Sequence, residues 1–300
     1  MVTLSNQQLT VQVSPEGAEL CSIRGNRSQT EYLWQADPAY WKRHSPVLFP
    51  IVGSVWENTY RQNGQTYSLS QHGFARDMTF SLISQTETEV WFRLESNEET
   101  LKKYPFPFVL EIGYRLEQQS VRVMWRVINP DSQEMFFQIG AHPAFYYPDF
   151  CSNTAERGFF SFDKKDDLSC ILIAEKGCVA LDKHPVSLQD GLLPLDIHTF
   201  DRDALVLEDR QISQVTLLDK QKQPHLSLEF TAPVVGLFTA DVGLWSPPAK
   251  NAPFVCIEPW YGRCDLAHYA GEYKDKDWIQ QLNGGETFEA DYTITLYKEC

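Results

Sequence analysis

No Lys/Arg-rich run interrupts this chain: 26 basic side chains stand against 40 acidic ones, a formal charge of −14. A nucleic-acid partner needs a basic footprint to neutralise phosphates, so none is expected. The same acidity opposes docking on an anionic membrane. Apolar runs fall far short of the roughly 20 residues that span a bilayer as a helix. Residues 1–8 lack a basic start followed by an apolar block, so no signal peptide is expected and a cytoplasmic location is. The seven cysteines (21, 151, 170, 178, 256, 264 and 300) are odd in number and lack CxxC spacing. They read as free thiols, without a disulfide framework or a zinc knuckle. GxSxG, Walker, GxGxxG and HExxH signatures are all missing, which counts against serine hydrolases, nucleotide enzymes and zinc hydrolases.

What is present is alternation. Leu9–Val13, a Ser-Pro-Glu-Gly turn and the segment 18–23 read as an opening hairpin. The same period of two recurs at 90–94, 108–116, 120–127, 215–218, 225–230 and 292–297. Helical patterns are few and short, at 98–104 and 276–282. The stretch 146–200 reads as irregular loop. With 43% hydrophobic and 13% aromatic residues the chain has ample core. No linker or repeat divides it, so the expectation is one all-β domain over residues 1–300, a large antiparallel β-sandwich.

Three segments place titratable groups among apolar, glycine and proline neighbours: Gln71-His72-Gly73-Phe74-Ala75-Arg76, Gly140-Ala141-His142-Pro143 and Cys256-Ile257-Glu258-Pro259-Trp260. Two imidazoles and a carboxylate can move protons near neutral pH if the fold unites them. Each also has a plain alternative. His72 could cap a turn, His142 could line the core, and Glu258 could hold a structural ion pair. For Glu258, burial would raise the pKa toward the range of a general base. Arg43, Arg76 and Asp203 are possible ligand contacts, but exposed arginines and acidic loops are common in such a chain. His184, His198, His225 and His268 have no companion spacing and read as non-catalytic.

Taken together, the tract Arg43-x-x-Pro46-Val47-Leu48-Phe49-Pro50-Ile51-Val52-Gly53, then HGFAR, GAHP and IEPW, resembles the aldose 1-epimerase (mutarotase) family in its LacX-like branch. The resemblance implies a galactose mutarotase-like β-supersandwich, no metal or cofactor, and interconversion of α and β anomers of an aldose. By the same resemblance Glu258 would take the anomeric proton, His142 would protonate the ring oxygen, and His72 would orient that region. Asp203 would bind a sugar hydroxyl. Many relatives carry arginine directly after the FPIVG glycine, where this chain has Ser54. Arg43 instead resembles the arginine before the Pro-x-x-Phe-Pro tract in hexose-6-phosphate mutarotases, and with Arg76 it would form an anion pocket. The expected partner is therefore a small sugar or sugar phosphate. Two other classes use such scaffolds: a non-catalytic sugar-binding or sugar-sensing protein, and a polysaccharide lyase with a tyrosine base.

Overall fold

In the computed structural model, which describes residues 1–230 and 240–299, two large antiparallel sheets share one apolar core. The nine-stranded sheet runs from Leu192–Asp196 at one edge to Ser81–Gln85 at the other, with Thr287–Leu296 and Ser120–Ile128 adjacent within it. The eight-stranded sheet runs from His184–Pro185 to Val47–Leu48, with Asp241–Trp245 and Phe254–Tyr261 adjacent near its middle. A three-stranded sheet, Val2–Ser5, Leu9–Val13 and Leu20–Gly25, opens the chain.

Alternation sets the layers. In Ser120–Ile128, Val121, Val123, Trp125 and Val127 are buried, while Arg122 and Arg126 point outward to Asp291 and Glu289, each at 2.8 Å. Trp125 and Phe288 of the nine-stranded sheet both meet the ring of Tyr261 in the other sheet, at 6.4 and 5.2 Å. Such edge-on aromatic contacts add to the burial that clamps the sheets.

The expected helix at 98–104 forms as Glu98–Lys103, with a capping box between Asn97 and Thr100. The expected helix at 276–282 does not. A short 3₁₀ turn, Tyr273–Asp275, precedes Trp278 at φ +60°, and Gln280–Leu282 is a strand paired with Met135–Phe137. Left-handed backbone at Trp278 cannot continue a right-handed helix. The stretch 146–200 is likewise more ordered than its composition indicates. Glu156–Phe162 pairs with Gln214–Leu218, a partner invisible to local pattern. The six described cysteines are free, and among the described residues no helix is long and apolar enough to cross a membrane.

Candidate active site

All eight residues of Phe254–Tyr261 are buried, yet they serve different layers. Val255, Ile257 and Tyr261 belong to the large core between the sheets. Phe254 and Cys256 enter one small apolar cluster on the other face, and Trp260 enters a second. Glu258 follows the same period and lies between them, 1% exposed. Gly243 sits opposite it on Asp241–Trp245. A Cβ there would come within 2.3 Å of the Trp260 indole, so only glycine leaves room for that ring.

His142 follows Ile139–Ala141, whose Gly140 pairs with both Trp260 and Leu48. Its N–H donates to the Pro46 carbonyl at 3.1 Å, and Pro143 favours the extended backbone. The ring stacks on Trp41 at 4.7 Å and meets Trp245 edge-on at 5.4 Å. Its Nε2 stands 3.3 Å from Glu258 Oε1. His72 reaches the same place from a left-handed backbone, φ +65°. Its N–H donates to the Gly53 carbonyl at 2.7 Å, and Gly53 N–H donates to its Nδ1 at 3.1 Å. That second bond leaves Nε2–H as the donor of a neutral His72. The His72 and His142 rings meet edge-on at 5.5 Å.

These groups line a cavity of about 350 Å³ with Arg76, Asp203, Trp41 and Trp260 among its walls. Asp203 arrives on a turn just before Leu205–Leu207, at φ +68°. Arg76 donates to the Gln71 carbonyl at 2.7 Å. Arg43 is not among the lining residues. Its guanidinium pairs with Asp77 at 2.8 Å, and Asp77 lies 3.8 Å from Arg76 Nε. The expected anion pocket of two free arginines is thus two arginines bracketing a carboxylate. Ser54 is buried outside the cavity lining, and a Cβ on Gly177 would come within 2.7 Å of its Oγ. The position is packed.

Burial dominates the electrostatics. It pushes the Glu258 carboxyl well above its ordinary range, helped by the nearby Asp203 carboxylate and opposed by the Trp260 indole. It pushes His142 down to about 3, aided by the Arg76 and Arg43 cations, and pushes His72 down as well. Arg76 itself is pushed to about 10 by burial and by Arg43. Both shifts favour the uncharged forms, the carboxylic acid of Glu258 and the neutral imidazole of His142. Glu258 Oε2 and His142 Nδ1 are buried without a hydrogen-bond partner among the described residues. Each orphaned polar atom costs about 1–3 kcal/mol unless something supplies a bond. His142, Cys256 and Glu258 also bring three metal-type donors within 4.8 Å. Burial raises the thiol and the carboxyl together, which favours their protonated forms over the anions a cation needs.

Sequence reasoning found Glu258, His142, His72, Arg76 and Asp203, and the fold unites all five. It did not assign roles to Trp41 and Trp245, which wall the imidazole, or to Asp77, which ties the arginines together. Trp41 carried a signal in its closeness to Arg43; Trp245 carried none.

The aldose 1-epimerase family profile matches residues 1–273. The chain belongs to this family. It is 32% identical to the chromosomal protein LacX of Lactococcus lactis subsp. lactis, over 98% of this chain and 99% of that one. A galactose mutarotase related enzyme from Lactobacillus acidophilus superposes with a TM-score of 0.89 at 31% identity, covering 99% of this chain and 97% of that one. A galactose mutarotase-like protein from Lactobacillus casei gives 0.90 at 29%, covering 99% and 100%. This family member thus has the galactose mutarotase-like fold and the sugar epimerase or mutarotase-like character of its family.

Proposed function

We propose that this chain is an aldose 1-epimerase that interconverts the anomers of a hexose through Glu258 and His142. The observation that carries this reading is the 3.3 Å approach of His142 Nε2 to Glu258 Oε1 at the wall of a sugar-sized cavity, with the second carboxyl oxygen unbonded among the described residues.

One proton serves the pair. A bound sugar donates a hydroxyl to the orphaned Oε2 and draws the carboxyl toward its anion, leaving the proton on His142. Glu258 then takes the O1 proton as the C1–O5 bond breaks, and His142 gives its Nε2 proton to O5. C1–O1 becomes the aldehyde carbonyl. Rotation about C1–C2 turns the other carbonyl face to O5, and return of both protons closes the ring to the other anomer. Ring opening therefore converts the ion pair into the neutral pair. Burial favours that neutral pair, which pulls the reaction toward the open chain. Proton transfers of this kind contribute about 10²–10⁴-fold each. Neutral His72 donates toward the ring oxygen, and Asp203 accepts from a sugar hydroxyl.

A free hexose suits the site better than its phosphate. Arg43 and Arg76 share Asp77, and Asp203 adds a second carboxylate, so no net positive charge awaits an anion. Polarimetry of purified protein on fresh α-hexoses tests the proposal. Rapid mutarotation that Glu258→Gln removes is the expected result; wild-type rates equal to the buffer rate for every aldose would end it.

A further inference from the structure

Far from the catalytic pair in sequence, Glu19, Cys21 and His44 bring a carboxylate oxygen, a thiol sulfur and an imidazole nitrogen within 4.8 Å of one another. From these we infer a second site, one that binds a divalent soft cation such as Zn²⁺. It stands independently of the epimerase reading.

The local fold builds this convergence. Strand Leu20–Gly25 pairs Leu20 with Val13 and Ser22 with Gln12, so Cys21 is an extra residue in a β-bulge. A bulge re-aims a side chain, and here it turns Cys21 inward beside its buried neighbour Leu20. Glu19 Oε1 accepts the N–H groups of His44 at 2.8 Å and Ser45 at 3.0 Å, which fixes the carboxylate and frees Oε2. Oε2 lies 3.8 Å from His44 Nδ1. That nitrogen is shielded from solvent and has no hydrogen-bond partner among the described residues. The thiol donates to the Glu19 carbonyl at 3.2 Å, a weak bond that metal binding replaces.

The donor set matches the ion. Zinc takes sulfur at about 2.3 Å and nitrogen or oxygen at about 2.0–2.2 Å, so tetrahedral neighbours sit roughly 3.3–3.7 Å apart. The observed 3.8 Å nitrogen–oxygen separation needs only a small side-chain adjustment. On binding, two protons leave to solvent: the Cys21 thiol proton, and the His44 proton, whose pKa, against the opposing effect of burial, Cys21 and Glu19 push up to about 9. Thiolate and carboxylate then balance the dication, with His44 neutral. The His44 side chain is 24% exposed, so the cluster lies close to the surface. Loaded metal would also pin the segment 41–45, whose Trp41 stacks on the catalytic imidazole.

Cobalt(II) titration of the chelator-treated full chain tests the site, with zinc competition by calorimetry. The expected result is one cobalt per chain with a thiolate charge-transfer band in the near ultraviolet, displaced by zinc. Cys21→Ser, nearly isosteric, should abolish the band; His44→Asn should weaken zinc binding at least tenfold. Cys151→Ser, at an exposed thiol, should change neither. Absence of the band in the wild type, its survival in Cys21→Ser, or unchanged zinc affinity in His44→Asn would each overturn the inference.

Discussion

Asp265 and Lys276 form one buried acid–base pair of this molecule, and Glu258 and His142 form another. The first is 3% exposed on both sides; Asp265 accepts the Lys276 ammonium on Oδ1 and the Trp56 N–H at 2.9 Å on Oδ2. Both carboxylate oxygens have donors. Both pairs line cavities and the second is buried almost as deeply, yet its Glu258 Oε2 and His142 Nδ1 are without hydrogen-bond partners among the described residues. A satisfied pair has no bond to offer a ligand. An unsatisfied one sacrifices stability that a bound ligand can restore, which is why the proposed chemistry is assigned to one of two similar pairs.

Substitution should separate the two by readout. Glu258→Gln is expected to reduce mutarotation at least 10²–10⁴-fold, leaving the melting temperature at or above the wild-type value because burial already holds that carboxyl neutral. Near-normal polarimetric turnover would remove Glu258 from the chemistry. His142→Asn should lower turnover about 10²-fold or more with little change in sugar affinity; an unchanged rate would reassign the acid. Lys276→Met should do the reverse. Stranding Asp265 in the interior destabilises the fold by about 3–5 kcal/mol in denaturant unfolding, with per-molecule activity of the folded fraction retained. A loss below 1 kcal/mol would erase the contrast between the pairs.

Titration sharpens the same contrast. Because burial pushes His142 down to about 3 and Glu258 up, the neutral pair gains a proton only far below pH 6.5 and loses one only well above the ordinary carboxylate range. The kcat/KM profile should therefore be flat through pH 6.5, and an acid limb centred there would show an exposed, ordinary imidazole. The smallest effect concerns charge at the rim. Calorimetry should find a hexose phosphate binding no tighter than the free hexose, and a tenfold preference for the phosphate would show that Arg43 and Arg76 leave Asp77 for the ligand.

The strands that were legible were so because period-two alternation is a local property, read from residues such as Val121, Val123, Trp125 and Val127 without knowing their partners. Glu98–Lys103 was legible for the same reason, its capping residues lying beside it in sequence. The segment 276–282 misled because its apparent helical spacing gave no sign of the left-handed turn at Trp278 or of its strand partner Met135–Phe137. Strands within 146–200 stayed hidden because they are short or irregular: Ser169–Leu172 meets only His184–Pro185 on one side, and Glu156–Phe162 pairs with Leu192–Asp196 through a register shift next to Gly158.

Period-two alternation by itself pointed to an all-β fold, and the motifs by their resemblance pointed to the family and to the residues proposed as acid, base and second imidazole. Tertiary structure alone decided that Glu258 lacks a bond on one oxygen among the described residues, that Arg43 joins Arg76 at Asp77, and that Glu19, Cys21 and His44 converge across a bulge. The physical reason is that alternation and motif are written along the chain, whereas solvation and partnership of a polar atom depend on every segment packed around it.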